Sequence, residues 1–153
     1  MAQGDLTVFN AFVDDLGKGK HNLDTDTFKL ALVTNSTVPT ATTEDPCWGA
    51  GGTTNFSSTE VSGTNYTAGG TDITSTFSTA VAVGTFDGTT NPSWSQHASG
   101  PNNIRWGIIY NDSATNKDCV AFIEMGSGAD ISLADGDISY TFHASGIATI
   151  TRT

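Results

Sequence analysis

A chain of 153 residues with 16 carboxylates against 6 lysines and arginines carries a formal charge of −10, so its surface repels nucleic-acid phosphates and anionic membranes. The length suits one domain with its own core, and 37% apolar residues in periodic blocks exclude a disordered chain. No apolar run approaches the roughly 18–20 residues needed to cross a bilayer, and Met1 to Gly4 shows no basic, hydrophobic leader.

Leu6, Phe9, Phe12, Val13 and Leu16 recur at helical spacing, with Asp14 and Asp15 on the other side. They predict a helix of about three turns within an N-terminal arm, residues 1–20. Asp5 or Thr7 can cap its start, and Gly17 or Gly19 can end it. Such a helix either plugs one end of a β core or docks on a neighbouring subunit. Phe28 to Thr34 reads as a strand, with Phe28, Leu30 and Leu32 on the buried side and Lys29 opposite. Asp24 and Asp26 precede it, but the Gly and Glu positions of a calcium loop are missing, so they read as a solvated turn.

From Asn35 to Thr64 the chain shows little periodicity, and an irregular stretch of roughly thirty residues in a compact domain is usually functional or ordered by a partner. Trp48 sits at its tip between Cys47 and Gly49. That ring either anchors the loop on the core or stands exposed to another protein or a sugar. Tyr66 to Gly70 is a turn, and Ile73 to Ser78 and Ala80 to Phe86 are two strands. Asp87 to Asn103 is a second polar loop carrying Trp94 and His97.

The last third, 104–153, reads as an antiparallel meander of four strands. Ile104, Trp106, Ile108 and Tyr110 share one face of the first; Cys119 to Met125 is the nearly continuous apolar second. Ile138, Tyr140 and Phe142 alternate along the third, and Ile147 to Arg152 is the last. Short strands separated by turns, without helical crossovers, predict a single all-β domain over 1–153. The expected fold is an antiparallel β-sandwich or a Greek-key or jelly-roll-like barrel with one short N-terminal helix.

Catalytic signatures are missing: there is no nucleophile elbow, phosphate loop, zinc-protease motif or Cys pair at zinc spacing. His21, His97 and His143 stand apart, and the repeated His-Ala-Ser-Gly at 97–100 and 143–146 reads as coincidence. Glu124 with Asp135 or Asp137 has the composition of a glycosidase pair, but sequence does not fix their separation. Cys47 and Cys119 read as reduced, partly buried thiols, with a disulfide between them left open. The chain is expected to be no enzyme and to hold no cofactor or metal.

Several blocks, in this order, carry a resemblance. They are Phe9-Asn10-Ala11-Phe12-Val13, His21-Asn22-Leu23 with Phe28-Lys29-Leu30-Ala31-Leu32, and Tyr66-Thr67-Ala68-Gly69-Gly70. Trp106 to Asp112, Phe122 to Gly126 and Ser145 to Ile150 complete them, while Cys47 to Val61 lies outside the pattern. The chain resembles a family of small virion structural proteins of tailed bacteriophages. The resemblance implies a non-enzymatic, copy-rich particle component, foremost a head decoration (cement) protein. Such a protein is made in the host cytoplasm and sits on the outer surface of the capsid. It binds the major capsid protein lattice and copies of itself, often as a trimer. The rivals are a tail or fibre component touching a host glycan through Trp48, Trp94 or Tyr66, and a free carbohydrate-binding module. Leu6, Phe9 and Phe12 of the helix, with Trp48 and Trp94 of the polar loops, are the expected assembly contacts.

Overall fold

The structure, a computed structural model, describes residues 1–152. In chain order it has β1 (Leu6–Val8), α1 (Asn10–Gly17), β2 (Phe28–Val33), β3 (Pro46–Cys47), β4 (Thr54–Asn55) and a 3-10 turn (Phe56–Thr59). There follow β5 (Thr71–Ile73), β6 (Ser75–Ala80), β7 (Val83–Gly88) and β8 (Ser93–Trp94). The last elements are β9 (Trp106–Asn111), β10 (Cys119–Glu124), β11 (Ile138–Ser139) and β12 (Ala148–Thr151). The fold is all-β with one short helix, and every strand pairing is antiparallel except the short β3–β4 contact.

A five-stranded sheet in the order β1-β10-β9-β2-β5 forms the centre. Its middle strands are buried on both faces, which is why β9, β10 and β2 read as continuous apolar runs rather than strict alternations. Phe28, Leu30, Leu32 and Ile109 point into one hydrophobic cluster, whereas Ala31, Val33, Trp106, Ile108 and Tyr110 point into the other. The first cluster is closed by a second layer, the sheet β12-β7-β6 and the β11–β8 pair, where Phe86 meets Phe28 at 4.8 Å between ring centroids. The second cluster is closed by Phe9 and by Trp48 and Phe56 of the long loop. A bulge between Cys119 and Ala121 adds a residue to β10, so Cys119 and Phe122 share a face although three positions apart.

Three expectations change. Leu6 to Val8 is not helical: the free edge of β10 captures it as a strand, with Leu6 opposite Ile123 and Val8 opposite Ala121. The helix therefore starts at Asn10 and is eight residues long, with no side-chain cap on its first turn. Second, 104–153 is not a four-strand meander. Only β9 and β10 pair with each other; β11 pairs with β8 and β12 with β7, in the second layer. The chain crosses between layers through Gly126, where any Cβ would lie 1.7 Å from the carbonyl oxygen of Ala129, and through the bridge Ile104–Ile131. That bridge also turns Ile104 into the opposite cluster from Trp106. Alternation along Ile138, Tyr140 and Phe142 correctly marks one buried side, but it cannot name the neighbouring strand.

Third, residues 35–64 are ordered by the chain itself. Asn55 Oδ1 accepts from the N–H groups of Gly49 and Ser57, Cys47 bridges to Asp118, and Glu60 bridges to Val33. Tyr66 ties the loop's end to the sheet: its hydroxyl donates to Glu60 Oε1 at 2.8 Å and accepts from the Leu32 N–H at 3.0 Å. The following turn needs glycine. Gly70 has φ +77°, and a Cβ there would fall 2.1 Å from the Leu30 carbonyl oxygen.

Candidate functional site

The five expected contact residues are spread through the protein's interior. Leu6 is half-buried in β1 against the core. Phe9 has no exposed area and lies between Phe122 and Phe56, at 5.0 and 5.9 Å. Phe12 is buried beside His21, at 5.3 Å. Trp48 stacks flat on Tyr110, 4.9 Å between centroids and 7° between planes. Trp94 is buried near Tyr66. Phe9, Phe12, Trp48 and Trp94 thus serve as core anchors, their apolar area already withdrawn from water within one chain. A Trp followed by a glycine-rich stretch is compatible with both outcomes; the stacking partner Tyr110 anchors it on the core.

A polar cluster escaped the sequence reading. Helical periodicity placed Asp15 outward, yet it is buried at 4% exposure. Lys20 Nζ reaches back to it at 2.8 Å and to the buried Asp118 at 2.8 Å, joining α1 to the turn after β9. Beside them Asn111 donates through Nδ2 to Asp26 Oδ2 at 2.6 Å and lies 3.1 Å from His21 Nδ1. Its own Oδ1 accepts from the N–H groups of Ser113 and Ala114 and so shapes the turn that the Asn-Asp-Ser run foreshadows. Two contacts to acceptors hold the Lys20 ammonium far above the ordinary lysine range, whereas burial pushes the His21 imidazole below its own.

His21 predicts a pH response. Around it stand the Phe12 and Phe28 rings, Asn111, Lys20 and the carboxylates of Asp15, Asp118 and Asp26. Desolvation outweighs those carboxylates, so the unfolded chain takes up the proton first as pH falls. His21 therefore stabilises the fold above its ordinary value of about 6.5, and that stability declines as pH drops through the lower folded value. Urea midpoints should fall between pH 7 and pH 5 in the native chain and fall less in His21→Gln. Equal slopes in the two would rule this out.

The other titratable groups form local structure. His97 and His143 are exposed, and each Nδ1 accepts from the N–H of the serine two residues on, while each carbonyl accepts from the following glycine. The repeated tetrapeptide is thus one turn used twice. Glu124 is buried in an ion pair with Arg105, Nε to Oε1 2.8 Å, and Asp137 caps the Gln96 N–H. Those two carboxylates serve separate structural contacts. Cys47 and Cys119 are both free and buried, and burial raises both thiols. Among the described residues no three His, Cys, Asp or Glu side chains gather as a metal site.

Among the described residues the exposed large apolar side chains are Met1, Val13, Val38, Val81 and Ile150. Val8, Phe12, Val13 and Leu16 face Ala148 and Ile150 across a groove of about 640 Å³ between α1 and β12. Val13 is 69% exposed and Ile150 49%. Ile150 also borders a shallower hollow with Phe77, Val83 and the hairpin tip Val81, which is fully exposed. No protein-family model matches the chain, and neither a curated protein nor a solved structure does.

Proposed function

We propose that this chain is a non-enzymatic assembly component, a tailed-phage virion protein and in particular a head decoration (cement) protein bound to the major capsid protein lattice. The observation that carries the assembly reading is the exposed apolar strip of Val13, Ile150 and Val81 on a molecule of net charge −10. Water-facing apolar area of this kind on a self-sufficient core favours a protein contact. The virion assignment draws on the ordered sequence blocks, and the acidic surface suits a position outside the shell, away from packaged DNA.

The glycan readings have less support. All 3 Trp and all 3 Tyr are at most 9% exposed, so none presents a ring face on which a sugar could stack. Deleting Met1 to Gly17 cannot separate a docking arm from a core plug, because it removes β1 and the core residues Phe9 and Phe12.

The test is location. Gold-labelled antibody against the chain, applied to purified virions of the phage that encodes it, should decorate heads. Label on tails would favour the fibre reading. Turnover of a small molecule by the purified chain, lost on changing one polar side chain, would overturn the non-enzymatic assignment.

A further inference from the structure

We propose that strand β6 of one copy pairs antiparallel with β6 of a second copy across a two-fold axis at Phe77, joining two outer sheets into one of order β12-β7-β6-β6-β7-β12. This rests on the assembly reading above, whose partners include copies of the chain, and it names the strand that meets its like.

The outer edge of β6 is free, and its backbone groups are aimed outward. Opposed residues of an antiparallel pair alternate between those that exchange both N–H and C=O bonds and those whose groups point away from each other. The Thr89 N–H donates to the Thr74 carbonyl at 2.7 Å, so Thr74 is of the first kind. An unbroken register, from Ser75 opposite Gly88 to Ala80 opposite Val83, carries the alternation along the strand. Thr76, Ser78 and Ala80 therefore bond to β7, while the N–H and C=O groups of Ser75, Phe77 and Thr79 face away from it. No strand lies on that side, and among the described residues no loop bonds those groups.

The other outer strands of the two larger sheets are guarded. β1 and β5 have 3 residues each, with Asp5 just before β1 and Asp72 within β5. β12 has 4 residues, faces α1 and runs into Arg152. Short length, charge and a covering helix are the usual protection of a sheet edge. β6 has 6 residues and no such guard: no charge, no proline and no bulge. Its occupant is an extended backbone, because only a strand answers donors and acceptors alternating along a line. The sequence selects which strand. Ser75-Thr76-Phe77-Ser78-Thr79 has the same pattern of hydroxyl and ring in both directions. Turned about Phe77, Ser75 opposes Thr79, Thr76 opposes Ser78 and Phe77 opposes itself, so hydroxyl meets hydroxyl and ring meets ring. The same register sets the outward residues Ser75, Phe77 and Thr79 against one another, and each such pair exchanges two hydrogen bonds. With no ionisable side chain in β6, two copies of a chain charged −10 meet there without opposing like charges across the new pair. The contact is isologous and closes at two copies.

Molecular mass by light scattering, over a wide concentration range of the full chain, tests the contact. The native chain should pass from monomer to dimer and stop there. Thr76 and Ser78 are exposed and oppose each other across the axis, so they report the register. Thr76→Lys with Ser78→Lys, and Thr76→Glu with Ser78→Glu, should each keep an unfolding midpoint near the native one while self-affinity falls about tenfold or more. Mixing the two double variants should restore a heterodimer, because every lysine then opposes a glutamate. Amide hydrogen exchange locates the pairing: dimer formation should slow Ser75, Phe77 and Thr79 and leave Thr76 and Ser78 as they are in the monomer. A native chain that stays monomeric or grows past the dimer would overturn the proposal. So would double variants that dimerise as the native chain does, a mixture that stays monomeric, or slowed exchange that spares β6. A monomer that still coats phage heads would sink this contact and leave the virion reading standing. A dimer paired through β6 that never labels virions would do the reverse.

Discussion

Replacing Trp48 with alanine lowers the free energy of unfolding by about 3–5 kcal/mol, measured as a shift in the denaturant midpoint. The ring is 6% exposed and lies parallel to Tyr110, so its loss uncovers the sheet face formed by Trp106, Ile108 and Tyr110. A cavity there cannot collapse easily, because Phe9, Phe56 and Phe122 already fill the remaining space in fixed aromatic contacts. Trp48→Phe should recover much of the deficit by restoring a flat apolar partner. The outcome also separates two roles. An exposed contact residue would change stability by no more than about 0.5 kcal/mol while weakening a partner. If Trp48→Ala folds as stably as the native chain and fails only in particle binding, the anchor assignment is wrong.

Lys20→Met is expected to destabilise the fold by roughly 3–5 kcal/mol, since it leaves the Asp15 and Asp118 carboxylates buried without their cation. Their side chains are 5% and 3% exposed, so water cannot substitute for the ammonium. Lys20 is itself 29% exposed, which places the effect toward the lower end. The pH dependence follows from the raised lysine value. Its contribution is complete below the ordinary value of about 10.4 and disappears only as pH climbs past the folded one, so the deficit is flat across neutral pH. A Lys20→Met chain with native stability at neutral pH would show that the cluster does not link α1 to the sheet. Adding Asp118→Asn to Lys20→Met should restore part of the loss, whereas Asp118→Asn alone should not be stabilising.

The parts legible from sequence were those governed by neighbours along the chain. Phe28 to Val33 and Trp106 to Asn111 announce themselves as strands, and the division of Ile108 from Ile109 between two faces follows from the pleat. Pairings between remote segments were not legible. Leu6-Thr7-Val8 satisfies a helical template, and only the open edge of β10 makes it a strand. Asp15 looks solvent-facing until Lys20, five residues on, folds back over it. The β6–β7 turn was hidden for another reason: Ala80-Val81-Ala82-Val83 contains no residue that normally marks a reversal. The apolar strip was invisible for the same cause, since a strand assumed to continue through Val81 has no tip.

The pairing of β1 with β10 and of β2 with β9 has a consequence for synthesis. Until residues near 106–124 have been translated β1 has no partner and β2 has only the short β5, paired along Phe28 to Leu30, so the central sheet closes late. Until then the β9-facing edge of β2, a strand apolar on both sides, waits unpaired, a situation that slows folding and invites sticking between nascent chains. Production at low temperature or with chaperones in excess should raise the soluble yield more than any change to the finished surface would.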